Sequence, residues 1–376
     1  MLMPLTFLTM WLAGMLSLAL LSGGIYLVWA WYVGEIVETA WLAVGVAVLL
    51  WSVAGRWPVL LTRRRGADEP RSERGGRARR LAAPDGADLH VEEHGPEADA
   101  PTLLMTHGWD LDATAWYYEK RHLAGRFRLV LWDLPGLGRS RQPADGRYSL
   151  ERMARALRTV LDATARGRPV VLVGHSIGGM TVLTFCRLFP ELLGREVAGI
   201  VLVNTTYTMP LNTILAGGLL RALRWPVLVP LLWLTVALWP LVWAMNWKIY
   251  LDSTAHKSTD WTSFSGHETR GQLDFAALFT AKQHPGVLAK GILAMLRWDE
   301  TATLPTIGVP TLIITSDHDK LTLPRASEDM RRLIPRAELV TVKPAGHPGF
   351  LERSAEYDEA IAAFATRAAA RAMPAG

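Results

Sequence analysis

The pentapeptide Gly174-His175-Ser176-Ile177-Gly178 constrains this 376-residue chain more than any other stretch. It follows the β-branched run Val170–Val173 directly and precedes a helix-like segment from Gly179. A serine in Gly-x-Ser-x-Gly between a strand and a helix sits on a sharp, strained turn that exposes its hydroxyl. Gly174 and Gly178 lack side chains, so strand and helix can approach closely around it. The hydroxyl then lies at a helix N-terminus, where partial positive charge favours a developing oxyanion. Ser176 is therefore the candidate nucleophile.

Serine is a weak nucleophile at neutral pH and needs a base, which in turn needs an orienting carboxylate. His347 is the best-placed base, in the loop Pro344-Ala345-Gly346-His347-Pro348-Gly349-Phe350 after the strand-like Glu338–Val342. His107 and His175 also stand at strand ends, but His175 is held next to the nucleophile and is expected to point away. The carboxylate is sought after the strand Thr311–Thr315, where Ser316-Asp317-His318-Asp319-Lys320 follows. Asp319 is the expected partner, because the chain needs a few residues beyond the strand to turn back over the site. Asp317 is expected to stabilise the loop. Two backbone N–H donors would complete an oxyanion hole, one at Ile177 and one at Trp109 in His107-Gly108-Trp109; the Trp109 ring is also expected to wall the pocket.

From about Leu81 the chain alternates short apolar runs with helix-length segments. LHVEEHG, TLLMTHG, FRLVLWD, VVLVGHS, GIVLVNT and TLIITSD each read as a strand ending in a turn, with helices over Leu150–Ala165 and Gly179–Phe189 among them. That alternation implies an α/β class with a largely parallel sheet. With the motifs above and Asp133-Leu134-Pro135-Gly136-Leu137-Gly138-Arg139-Ser140, the chain resembles the α/β-hydrolase fold-1 superfamily of serine hydrolases from about Leu81 onward. The resemblance implies the order Ser176, Asp319, His347, a loop-ordering role for Asp133 and Gly136, and a variable cap after the sixth strand. His-Gly-Trp resembles epoxide hydrolases in particular. Those enzymes and haloalkane dehalogenases use an aspartate nucleophile, which Ser176 argues against.

No charged side chain occurs from Met1 to Gly34 or from Thr39 to Gly55, with Glu35 and Glu38 between. About 20 apolar residues cross a bilayer, so two crossings fit, near Leu5–Trp31 and Ala40–Leu60. A cleaved signal peptide would need a basic start and a shorter apolar stretch. The expected organisation is a transmembrane helical hairpin over 1–62, a basic and flexible linker over 63–80, a core over 81–205 and 304–376, and a hydrophobic helical cap over 206–303. Arg63, Arg64 and Arg65 after the second segment place both chain ends, and the catalytic domain, on the cytoplasmic side of the cell membrane. The pI near 9.4 is read as a juxtamembrane basic patch facing membrane lipids and not as a nucleic-acid surface.

Trp225–Trp247 is uncharged and long enough to span a bilayer alone. It lies between Ser176 and the Asp319/His347 pair, so one crossing would put nucleophile and base on opposite sides. Pro226, Pro230 and Pro240 interrupt it, and Arg221, Arg224 and Lys248 bracket it. The segment is therefore expected to be a cap that dips into the interface or lines an apolar pocket. Cys186, the single cysteine, reads as a buried small hydrophobe. No metal or cofactor is expected, since the histidines show no paired ligand spacing. The expected activity is hydrolysis of a carboxylic ester of an apolar or lipidic substrate through an acyl-enzyme at Ser176. Thioester, amide, C–C or perhydrolytic chemistry on the same triad, or a non-catalytic lipid-binding protein, are the alternatives.

Overall fold

The computed structural model describes residues 3–96, 100–165, 167–168 and 170–372. Eight strands make one sheet: β1 (Arg77–Ala82), β2 (Asp88–His94), β3 (Thr102–Thr106), β4 (Arg128–Trp132), β5 (Val170–His175), β6 (Val197–Val203), β7 (Thr311–Ser316) and β8 (Ala337–Val342). Their order is β1-β2-β4-β3-β5-β6-β7-β8, antiparallel across the first two pairings and parallel from β4 to β8. The central strands are buried along their whole length, which is why they read as unbroken apolar runs. Along β3 the side chains alternate between two cores. Leu104 joins Leu172 and Leu202 on one face, whereas Leu103 and Met105 join Val171 and Val173 on the other.

Three helices precede the sheet: α1 (Met3–Tyr32), α2 (Thr39–Ala54) and α3 (Arg56–Leu61). Within the sheet region come α4 (Tyr117–Leu123), α5 (Leu150–Thr164) and α6 (Ile177–Leu188). Between β6 and β7 lie α7 (Gly217–Ala222), α8 (Val229–Ala237), α9 (Trp239–Leu251), α10 (Thr254–Ser263), α11 (Arg270–Lys282) and α12 (Pro285–Met295). The chain ends in α13 (Pro324–Leu333), α14 (Gly349–Glu352) and α15 (Ser354–Ala372). Buried residues of α5 and α6 fill one core and those of α4 and α15 the other, so helices cover both faces of the sheet.

Among the described helices, one run within α1, Trp11–Tyr32, is long and apolar enough to cross a membrane, with mean hydropathy 1.8. The second expected crossing is divided. α2 has 16 residues, about 24 Å of helix, short of a bilayer core of about 30 Å. Gly55 separates it from α3, where Arg56 interrupts the apolar run and Pro58 removes a helix donor. α2 nevertheless packs on α1: Gly45 lies against Leu27 and Val28, and Gly24 against Leu49. The Trp225–Trp247 segment is broken as well. Arg224–Ala237 and Trp239–Leu251 meet at 99° around Leu238, just before Pro240.

The stretch 63–80 departs from the flexible linker expected of it. Its last residues open β1, and Arg63, Arg74, Arg77, Arg79 and Arg80 pair with acids of the folded chain. Arg63 pairs with Asp260 and Glu268. Arg74 reaches Glu92 at 3.0 Å and Asp133 at 3.0 Å while largely buried. Tyr117 and Tyr118 hydroxyls donate to Asp68. Composition alone concealed this, because the partners lie far away in sequence. Replacing Arg74 with alanine would remove the cation that buried Glu92 and Asp133 share, and we expect a loss of about 1.5–3 kcal/mol. Thermal unfolding of the variant reads it as a lowered Tm, and an unchanged Tm would contradict the buried pairing.

Candidate active site

Ser176 caps α6 with φ 53° and ψ −120°, a left-handed backbone that a non-glycine residue adopts only under constraint. The constraint is visible on both sides. A Cβ on Gly174 would overlap the Gly178 backbone, and one on Gly178 would overlap the carbonyl of Thr106 at the end of β3. Ser176 N–H donates to Val203 O at 3.0 Å, and Thr205 Oγ1 donates to Ser176 O at 2.6 Å. The elbow is thus fixed by the two strands flanking β5.

Asp319 and His347 come together from the loops after β7 and β8. His347 Nδ1 lies 2.8 Å from Asp319 Oδ2, so Nδ1 donates and Nε2 is left as the acceptor. His347 N–H donates to Ser263 O at 2.7 Å, which ties the loop to the end of α10. Burial alone would raise the Asp319 carboxyl. The facing His347 ring and hydrogen bonds from His347 and Thr322 outweigh it and hold the group at about 2. Asp319 Oδ1 also accepts from the N–H groups of Leu321 and Thr322. Asp317 does not touch His347; its Oδ1 accepts from Ala345 N–H at 3.1 Å and steadies the loop two residues earlier.

The other two histidines are neutral structural groups. Burial pushes both below their ordinary value, His175 furthest, with the neighbouring His347 ring adding to it. His107 bonds the Gly108 carbonyl and accepts from Leu134 N–H. His175, expected to point away, instead packs under His347 with ring centres 4.9 Å apart, its Nε2 3.2 Å from the His347 carbonyl oxygen. As the last residue of β5, His175 continues the face of Val171 and Val173, and its ring packs on Trp116 and Phe350.

The loop His107-Gly108-Trp109 lies against the elbow: a Cβ on Gly108 would stand 3.3 Å from Ser176 Cβ. Among the described residues, neither Trp109 N–H nor Ile177 N–H has a hydrogen-bond acceptor. The Trp109 ring closes over Gly291, and its Nε1 donates to Leu288 O at 3.0 Å, fastening α12 to the core. A cavity of about 280 Å³ holds Ser176 and His347 in its wall, with Trp109, Leu288, Ile292 and Met295 beside them. Asp133 accepts from Ala113 and Arg139 N–H, and a Cβ on Gly138 would press on its carboxylate. That stretch is a loop brace, not a phosphate loop.

Two residues went unrecognised in the sequence. Asn204, at φ 43° just past β6, donates from Nδ2 to Asp319 Oδ2 at 3.0 Å and accepts from the Tyr357 hydroxyl at 2.7 Å. An asparagine ending an apolar strand was the available signal, since asparagine tolerates this backbone region. Asp110, at φ 71°, lines the cavity next to Trp109. Thr280 Oγ1 donates to its Oδ2 at 2.9 Å, and its Oδ1 has no partner among the described residues.

A family description, the alpha/beta hydrolase fold, matches residues 101–354. A pimeloyl-[acyl-carrier protein] methyl ester esterase of Nitrosomonas europaea is 29% identical over 278 residues, covering 70% of this chain and 94% of that one. A protein of Stutzerimonas stutzeri provisionally named carbamate hydrolase RutD is 26% identical over 275 residues, covering 73% and 95%. A thermophilic esterase of Thermogutta terrifontis shares the fold at TM-score 0.63 and 21% identity, over 78% of this chain and 99% of that one. The chain belongs to the α/β hydrolase fold family and is a hydrolase of the esterase type.

Burial pushes the Asp110 carboxyl up to about 7, with Thr280 opposing it only in part. In the unfolded chain it ionises near 4. The folded state holds the extra proton between those values, so this contribution is full below about pH 4 and lost as pH rises through about 7. Asp110→Asn removes the ionisation. Its Tm relative to wild type is expected to be higher at pH 8 than at pH 4, and an identical offset at both pH values would contradict the assignment.

Proposed function

We propose that this protein is a serine esterase acting on an apolar, lipidic carboxylic ester through an acyl-enzyme at Ser176. The single observation that carries the reading is the strained Ser176 at the wall of one cavity with His347, whose Nδ1 is held by buried Asp319. His347 Nε2 takes the proton as Ser176 Oγ adds to the ester carbonyl. The tetrahedral oxyanion is received by Trp109 and Ile177 N–H. Collapse breaks the ester C–O bond, and the alcohol leaves with the proton from His347. Water then adds to the acyl carbon with His347 again as base, releasing the acid and restoring Ser176.

Support for the apolar substrate comes from the cavity walls, where apolar residues, among them Val242, Leu288, Ile292 and Met295, are more numerous than polar ones. Support for a membrane setting comes from α1, α2, α8 and α9, which carry exposed Trp29, Trp41, Trp51, Trp225, Trp233 and Trp247 on or beside mutually packed helices. Tryptophan is favoured at headgroup depth. We read α1 with α2–α3 as an apolar membrane hairpin, the broken α8–α9 pair as an interfacial cap, and the catalytic core as cytoplasmic. The match to an acyl-carrier-protein methyl ester esterase accords with ester chemistry.

Ser176→Ala is expected to abolish hydrolysis of p-nitrophenyl esters and labelling by a fluorophosphonate. Labelling equal to wild type would overturn the nucleophile assignment. Asp319→Asn is expected to lower kcat by about 10⁴-fold with KM little changed, and a drop below tenfold would remove Asp319 from the triad. For the membrane reading, the full chain is expected to stay in the pellet after alkaline carbonate extraction, and a C-terminal reporter should be active only in the cytoplasm. Release into the supernatant, or a periplasmic reporter, would overturn it.

A further inference from the structure

The helix that reads as an anchor is also part of the cavity wall. Trp11, from α1, lines the same cavity as Ser176 and His347. Its ring is buried against Val242 and Met245 of α9, and its Nε1 donates to Thr235 Oγ1 of α8 at 3.0 Å. Thr235, Val242 and Met245 line that cavity as well. One stretch of wall is therefore composed jointly by α1 and the two halves of the broken cap segment.

The position of α1 on the cap is fixed by specific contacts. Gly14 lets the helices close: a Cβ there would come 2.5 Å from Met245 Cε. One turn further on, Ser17 bridges a buried ion pair of α9. Lys248 Nζ lies 2.9 Å from Asp252 Oδ2 and donates to Ser17 Oγ at 2.8 Å, while Ser17 Oγ donates to Asp252. A slide of α1 would leave the buried Ser17 hydroxyl without both of its partners, so the contact favours a single register. An anchor that only tethered the enzyme would need neither the close approach nor the polar lock.

We propose that α1 is a specificity element of the active site, with Trp11 bounding the space that holds the apolar chain of the substrate. The proposal rests on the reading of Ser176 as the nucleophile of an ester hydrolase. An apolar chain lying in this cavity contacts the membrane helix itself, so the preferred chain length is set by a residue that precedes the catalytic domain by more than sixty positions. Shrinking Trp11 enlarges the space, whereas a side chain at Gly14 drives Met245 into it.

The test compares kcat/KM of the full-length protein in detergent micelles for p-nitrophenyl esters from four to sixteen carbons. Trp11→Ala is expected to raise the preference for long over short chains by about tenfold, and Gly14→Leu to lower it by a similar factor. Opposite shifts from two substitutions on one helix cannot come from general destabilisation. Profiles that overlay the wild type, or losses equal at every chain length, would overturn the proposal. Absence of Ser176-dependent hydrolysis in the wild-type protein at any chain length would instead overturn the reading of the site on which it rests.

Discussion

The close approach of β5 and α6 around Ser176 is the constraint on which the rest depends. Gly174 and Gly178 have no room for a Cβ, and between them Ser176 is held at φ 53°. Such a backbone costs about 1–3 kcal/mol and persists only where its surroundings over-determine it. Here β3 supplies the surface on which Gly178 rests, and β6 supplies the carbonyl and the threonine hydroxyl that pin Ser176. The parallel sheet is thus the device that keeps a serine hydroxyl at a helix N-terminus. The loops of β3, β6, β7 and β8 then bring Trp109, Asn204, Asp319 and His347 to the same edge.

Electrostatics at this edge is arranged by burial and by partners with opposite effects. Asp319 is fully enclosed yet stays ionised, because five hydrogen bonds, one of them from the His347 ring, converge on it. Asp110, half-buried and with only Thr280 as donor, is pushed up to about 7. The two aspartates are therefore shifted in opposite directions. The number of donors each one faces decides the direction.

Much of this arrangement is legible in the sequence. The runs that became β3 to β7 are recognisable because central strands are buried on both faces and so are largely apolar. The carboxylate could be placed from the chain length needed to turn back from β7. What escaped the sequence had charged or interrupted texture. β1 (RARRLA) is an edge strand with mostly exposed side chains, so its pattern resembles a linker, and its arginines find acids only after folding. The second apolar segment is continuous in composition, but Gly55 and Pro58 divide it. His175 continues the alternation of β5 on the face of Val171 and Val173, which places its ring against Phe350 and the His347 loop. The contacts of Trp11, Gly14 and Ser17 with the cap join positions more than two hundred residues apart, and no periodicity could signal them.

The account stands or falls on a covalent intermediate at one atom. The most direct measurement is rapid acid quench of the enzyme turning over a p-nitrophenyl ester, followed by mass analysis of the peptide that contains Ser176. The account predicts that this peptide gains the mass of the acyl group during turnover and loses it when substrate is exhausted. Turnover that proceeds with the Ser176 peptide unmodified, or with the acyl group on another residue, would contradict it.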